Sequence, residues 1–163
     1  MKIVKLTNGY EAIVDDEDYE SISVHSWFAW SSGPRYTKYA MRNPRDGGPR
    51  NMSGLILKSP DGCFIDHVNG NGLDNRKSNL RIATRSQNMF NTKKLCGPKR
   101  VPSSIYKGVK RLRGKKWQAQ IVAYGQYRYL GTYPCQLCAA LAYDLAALDF
   151  HGEYARTNII YKI

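Results

Sequence analysis

The chain has 163 residues, enough for one or two small domains, with 25 Lys and Arg against 13 Asp and Glu for a formal net charge of +12. Between Asn75 and Tyr143 lie fifteen basic residues and no acidic one, a run that favours a polyanionic partner through Coulomb attraction and counterion release. Neither a secretory signal nor an apolar run of about 18 residues is present, so no membrane span is expected and the four Cys are expected to be reduced in a cytoplasmic setting.

Residues 1–60 carry little of the charge excess, with eight basic residues against seven acidic ones. "KIVKL" and "YEAIV" read as two short strands around the turn Asn8-Gly9. "DDEDYESIS" reads as an acidic helix start. "WFAW" and "RYTKYAMR" read as further strands, divided by Ser31-Ser32-Gly33-Pro34, and "NPRDGGPRN" is a loop on composition.

Residues 65–91, "IDHVNGNGLDNRKSNLRIATRSQNMFN", hold six Asn around one His and little that could pack a core. "CFIDH" is a strand ending in Asp66-His67. "NGNGLDN" is a loop, because Asn-Gly pairs favour positive backbone angles. "NLRIAT" is a second strand, and Thr84 or Ser86 caps a short helix through "SQNMFN". Strand, loop, strand and helix would bring Asp66, His67 and one helix face together. A phosphodiester nuclease needs a base for water, a divalent cation and oxygen ligands for that cation. His67 can be the base. Asp66 and Asn88 offer a carboxylate and an amide oxygen, hard donors suited to Mg²⁺ or Mn²⁺. Asn79 could orient the imidazole by accepting from its far N–H. Spacing alone leaves open a polar hairpin with a surface His.

The segments Asp66-His67-Val68-Asn69-Gly70, Leu73-Asp74-Asn75-Arg76 and Asn79-Leu80-Arg81, followed by Asn88 and Asn91, resemble the HNH endonuclease motif, in its phage and intron-encoded homing type. The resemblance implies a ββα-metal unit, with His67 as general base, Asn79 in the central Asn role, and Asp66 and Asn88 as metal ligands. Arg76 and Arg81 fall within it as candidate DNA contacts. Lys5 to Glu20 and Trp27 match a pattern that often opens this family, which assigns residues 1–97 to the nuclease domain, with a core at about 61–94. Where the family usually carries Met-His-Arg, this chain has Met52-Ser53-Gly54, without the Arg or His that would touch DNA or support the site.

"KLCGPKRVPSS" has two Pro and a Gly without apolar periodicity and reads as a linker, centred on 98–104. In residues 105–163, "IYKGVKRLRGKKWQAQIVAYGQYRYLGTY" gives three strands with turns at Gly114 and Gly125. In the second strand Trp117, Ala119 and Ile121 share one face, while Gln118, Gln120 and Val122 share the other. "CQLCAALAYDLAALDFHG" is a helix ended by Gly152, with Leu137, Leu141, Leu145 and Leu148 as its expected packing stripe. Cys135 and Cys138, the one close pair, are too few for a zinc site and read as small packing residues. The helix would cover the Trp117 face and leave Lys110, Gln118, Gln120, Tyr127 and Tyr129 open. A ribbon of that width can enter a major groove, where Gln reads adenine edges and Lys107, Lys110, Arg111 and Arg113 hold phosphates. Tyr106-Lys107-Gly108-Val109-Lys110, Lys116-Trp117, Leu130-Gly131-Thr132-Tyr133 and Ala142-Tyr143-Asp144 resemble the plant ethylene-response-factor (APETALA-type) DNA-binding domain. That resemblance implies a three-stranded antiparallel sheet packed on one helix.

The fold class expected is therefore α+β. The function expected is metal-dependent cleavage of duplex DNA by a monomer, a phage or mobile-element protein acting in a host cell, with no small-molecule cofactor. The alternative is a DNA-binding regulator or degenerate nuclease that does not cut.

Overall fold

The computed structural model describes residues 1–33, 36–45, 47–48, 50–94 and 103–160. Pro34 of the expected turn, Asp46 and Pro49 of the expected 43–51 loop, Cys96, and all of the expected 98–104 linker except Ser103 and Ser104 lie outside the described residues. Packing divides the chain into two compact units, Met1–Met89 and Phe90–Ile163. No helix among the described residues is long and apolar enough to cross a membrane.

The first unit is assembled from three two-stranded antiparallel ribbons and short helices. β1 (Lys2–Lys5) pairs with β2 (Glu11–Val14), and Gly9, at φ +83°, supplies the positive angle that the turn needs. The Asn8 side chain then donates to the Ala29 carbonyl and accepts from the Ala29 N–H, both at 2.9 Å, which ties this turn to β3 (Phe28–Trp30). β3 pairs with β4 (Tyr39–Met41). α1 (Tyr19–Ser23) and α2 (Met52–Ile56) close the core, in which Val4, Ala12, Val14, Ile22, Trp27, Ala40 and Met52 are buried. The Trp27 indole N–H donates to the Ile22 carbonyl at 2.8 Å, so its polar edge is satisfied inside that core. β5 (Phe64–His67) and β6 (Leu80–Ala83) form the third ribbon, and α3 (Arg85–Phe90) follows directly. Of β5 and β6, only Leu80 and Ala83 are buried apolar positions.

The second unit is one antiparallel sheet, β7 (Val109–Arg111), β8 (Trp117–Ala123) and β9 (Gln126–Tyr133), with α4 (Gln136–His151) packed on it. Ala119, Ile121 and Ala123 alternate inward along β8, as the period-2 pattern requires. Gly108 sits at φ +73°, and a Cβ there would run into the Tyr143 ring, so the chain passes close against α4 at this point. Asp144, fully buried on α4, accepts from the backbone N–H groups of Asn158, Ile159 and Ile160 at 2.7, 2.6 and 3.0 Å and so fixes the segment after the helix.

Two expectations are corrected here. The packing face of α4 is Ala139, Ala140, Tyr143, Ala147 and His151, whereas Leu137, Leu141 and Leu145 are exposed. The sheet presents Trp117, Leu130 and Tyr133 to the helix, and small residues on α4 let the backbones approach where leucines would hold them apart. Cys135 and Cys138 are joined in a disulfide, not left as free thiols, and Cys135 Sγ accepts from the Cys138 N–H at the start of α4.

This packing separates two substitutions. Leu141→Ala should change the stability of the fold by no more than about 0.5 kcal/mol, as for other exposed positions. Tyr143→Ala should cost about 3–5 kcal/mol, in the range of other buried aromatic truncations. Urea unfolding followed by circular dichroism checks both, and equal costs would return the leucines to the packing face.

Candidate active site and nucleic-acid interface

β5 and β6 place Asp66 opposite Arg81 and His67 opposite Leu80. Side-chain alternation sends Asp66 and Arg81 to one face of the ribbon and His67 to the other. The Arg81 guanidinium donates to Asp66 Oδ2 from Nε at 2.8 Å and from Nη2 at 2.6 Å, and both side chains are largely buried. His67, 4% exposed, lies 3.2 Å from Asn75 Oδ1 through Nε2. An amide oxygen only accepts, so this bond requires the proton on Nε2 and leaves the basic lone pair on Nδ1. Tyr39 stands against the imidazole, with ring centroids 5.7 Å apart.

The loop between the strands is held by its amides. The Asn79 side chain accepts from the Asn69 N–H at 3.0 Å and donates to the Asp74 carbonyl at 2.7 Å, while the Asn79 carbonyl accepts from the Val68 N–H at 2.9 Å. Asn69 Oδ1 accepts from the Asn71 N–H, and Asn71 Oδ1 from the Leu73 N–H, two successive local turns of the kind that short amides favour. Asn69 Nδ2 and the Arg76 guanidinium converge on the Asp74 carboxylate, and Arg76 holds that carboxyl below its ordinary range. The Asn75 N–H donates to the Ile13 carbonyl and the Lys77 N–H to Asp15, which docks the loop on the first hairpin.

Burial pushes the His67 imidazole below its ordinary value of 6.5, because an imidazolium loses more solvation than a neutral ring, and the Asn75 bond and the charges of Asp66 and Asp74 only partly restore it. The site therefore keeps His67 in the form that can accept a proton.

Several expected site residues fall elsewhere. Asn79 spans the loop and does not face the ring; Asn75 makes the imidazole contact assigned to it. Arg81 pairs with Asp66, and the partly exposed Arg76 pairs with Asp74. Lys107 Nζ donates to the carbonyls of Phe90 and Thr92, and burial lowers its pKa to about 8. Asn88 is half-buried on α3, its N–H on the Thr84 carbonyl, and its side chain makes no hydrogen bond among the described residues. Asn75, Asn69, Asp74 and Tyr39 were missed as site residues. The Asn-Gly-rich loop signalled the first three, and nothing in the sequence signalled Tyr39.

Asp66 and Asn88 are hard oxygen donors, suited in kind to a small divalent cation, although the Arg81 guanidinium already engages Asp66. Among the described residues no group of three or more His, Cys, Asp or Glu forms a metal cluster.

In the second unit the register pairs Lys110 with Gln118, Gln118 with Thr132, Gln120 with Tyr129 and Val122 with Tyr127, so these side chains share the face away from α4. Tyr127 and Tyr129 are strongly exposed on it. Lys110, Arg111 and Arg113 are exposed, and Arg111 lies over the Trp117 ring.

The described residues 64–90 thus form a strand–loop–strand–helix unit with a buried His67 at the end of its first strand. A family model described as HNH endonuclease matches residues 58–90. Over 156 residues the chain is 35% identical to the uncharacterized HNH endonuclease L560 of Acanthamoeba polyphaga mimivirus, covering 93% of this chain and 76% of that protein. Over 101 residues it is 30% identical to protein 3.8 of Escherichia phage T7, covering 60% of this chain and 77% of that one. A 57-residue stretch is 49% identical to a putative AP2/ERF and B3 domain-containing protein of Oryza sativa subsp. japonica, of which the chain spans 18%. The chain belongs to the HNH endonuclease family. It is a DNA endonuclease, a phosphodiester hydrolase, and DNA is its substrate.

A general base at His67 would give the reaction a pH dependence. A base that must be neutral loses activity as pH falls through its own pKa, and that value lies below 6.5. The acid limb of the cleavage rate should therefore inflect below 6.5. Single-turnover cleavage across pH checks this, and an inflection above 6.5 would contradict the buried-base geometry.

Proposed function

We propose that the chain cuts duplex DNA in a divalent-metal-dependent reaction, with His67 as general base and Asp66 and Asn88 as the ligands of Mg²⁺ or Mn²⁺. The observation that carries the reading is the buried His67, held neutral with its lone pair on Nδ1, inside the segment that the family model matches. His67 takes a proton from water, the hydroxide attacks phosphorus, and the bond to the 3′ oxygen breaks to leave a 5′ phosphate and a 3′ alkoxide, which takes a proton from solvent to become the 3′ hydroxyl. A bound cation supplies charge stabilisation to the phosphate and the leaving oxygen. Asn75 fixes the ring and its tautomer, and the Asn79-braced loop fixes the end of β5.

The C-terminal unit serves as the target-binding domain, similar to ethylene-response-factor domains. Its open sheet face enters the major groove. Gln118 and Gln120 read base edges, Tyr127 and Tyr129 make apolar and sugar contacts, and Lys110, Arg111 and Arg113 hold phosphates. The homing-type motif and the phage relative support a mobile-element or phage nuclease acting on DNA in the host cytoplasm.

His67→Ala should lower cleavage by about 10²–10⁴-fold while leaving duplex binding within a few-fold, because the imidazole acts on water and not on the duplex. EDTA should stop wild-type cleavage without unfolding the chain. Plasmid nicking and filter binding read both, and near wild-type cutting by the variant would remove His67 from the base role. Gln120→Ala should relax preference at one base position, since a bidentate amide contact is worth about 1–3 kcal/mol of discrimination. Sequencing of cleavage sites checks this, and an unchanged preference would take the sheet out of the groove.

A further inference from the structure

The Asp66–Arg81 pair is the feature that the reaction leaves unexplained. Two strand residues in direct register hold each other across a ribbon. Both donors, Nε and Nη2, land on one carboxylate oxygen, Oδ2, at 2.8 and 2.6 Å. Arg81 is 13% exposed and Asp66 6%, so water screens the pair poorly. A small divalent cation seeks the same thing that the guanidinium has taken, an anionic oxygen with its lone pairs.

We propose that Arg81 is a latch on Asp66: it holds Oδ2 while the cation is absent, a cation that takes Oδ2 displaces it, and a DNA phosphate takes the released guanidinium. The inference rests on Asp66 being a metal ligand, as proposed above.

The physical grounds are three. A guanidinium and a dication cannot share one oxygen without like charges standing a few ångström apart in a poorly screened setting. Without Arg81, Asp66 would be a buried carboxylate with its main counter-charge removed, so the latch gives the metal-free ribbon a stable resting state. Once displaced, a largely buried guanidinium needs another anion, and its planar fork matches a phosphate as well as it matches a carboxylate. Cation and duplex should therefore bind cooperatively, each favouring the open latch, and the coupling must be reciprocal. Arg81 is a positioning residue in this scheme. It sets when Asp66 becomes available and performs no chemistry on the phosphate.

The test reads metal binding and not cleavage. Free Mn²⁺ is titrated by electron paramagnetic resonance against the full chain carrying His67→Ala, which keeps the duplex intact, with and without a short duplex. Arg81→Gln, Arg81→Lys and Asp66→Asn are then each added to that background. The latch requires Arg81→Gln to bind Mn²⁺ at least about fivefold more tightly than its parent without DNA, the lower end of what coupled sites show. It also requires the duplex to tighten Mn²⁺ binding in the parent by a similar factor and much less in Arg81→Gln. Arg81→Lys, a point charge without the fork, should fall between the two; it carries the test if the Gln variant does not fold. Unchanged or weaker Mn²⁺ binding in the Arg81 variants, with binding lost in Asp66→Asn, overturns the latch and leaves the ligand assignment standing. Parent-like binding by Asp66→Asn removes Asp66 from the metal site, and the latch falls with it.

Discussion

The site depends on holding one imidazole at the end of a ribbon that has almost no hydrophobic core beneath it. β5 and β6 bury only Leu80 and Ala83 as apolar residues, so apolar burial alone does not fix where His67 points. Polar bonds do. Asn79 closes the loop from both sides by engaging the N–H groups of Val68 and Asn69 and the carbonyl of Asp74. Each such bond adds only about 1 kcal/mol net, but a buried donor or acceptor left without its partner costs about 1–3 kcal/mol. The arrangement is therefore brittle: loss of one amide exposes several unmet groups at once, and His67 is next to them. The hairpin β1–β2 supports the same loop from outside through Ile13 and Asp15.

Charge placement matters more than charge total. In the first unit Arg76 is paired with Asp74, Arg81 with Asp66, and Lys77 with both Glu17 and Asp18. In the second, Lys94 and Lys107 donate to backbone carbonyls. These residues belong to the acid-free run that suggests a polyanion partner, yet each already has a partner within the chain. The cations left exposed on the second unit, among them Lys110, Arg111, Arg113 and Lys116, border the strands of its sheet. A count of Lys and Arg thus overstates the surface that DNA can meet.

Much of the fold could be read in the sequence because β8 has a strict period of two and because Asn-Gly loops and the final Gly152 punctuate the elements clearly. The α4 packing face could not. Leu137, Leu141 and Leu145 recur at helical spacing, and so do Ala139, Tyr143 and Ala147. Both stripes are apolar, and periodicity cannot choose between them. Volume chooses, because the sheet offers large residues, and that is known only once sheet and helix face each other. The imidazole partner was hidden for a similar reason. Asn75 and Asn79 are four residues apart in one loop, and the loop's turns decide which of them reaches the ring. Arg81 and Asp66 lie fifteen residues apart, and only the strand register makes them a pair.

The abundance of Asn in residues 65–91 follows from what the loop must do beside both a base and a phosphate. Asp would satisfy the same backbone N–H groups and make the same local turns. Each added carboxylate, however, would favour the imidazolium, as Asp66 and Asp74 already do, and would raise the His67 pKa towards the protonated form that cannot accept a proton. It would also repel the phosphate that has to approach. An amide offers an acceptor and two donors without net charge, so the loop can be cross-braced without adding carboxylates beside the base. The one buried carboxylate within the loop, Asp74, is offset in part by Arg76, which lies across it at 2.7 and 2.8 Å. Asp66 is offset in the same way by Arg81. Polar bracing by neutral amides, with each buried carboxylate matched by its own guanidinium, lets a nearly coreless loop present a neutral imidazole to a polyanion.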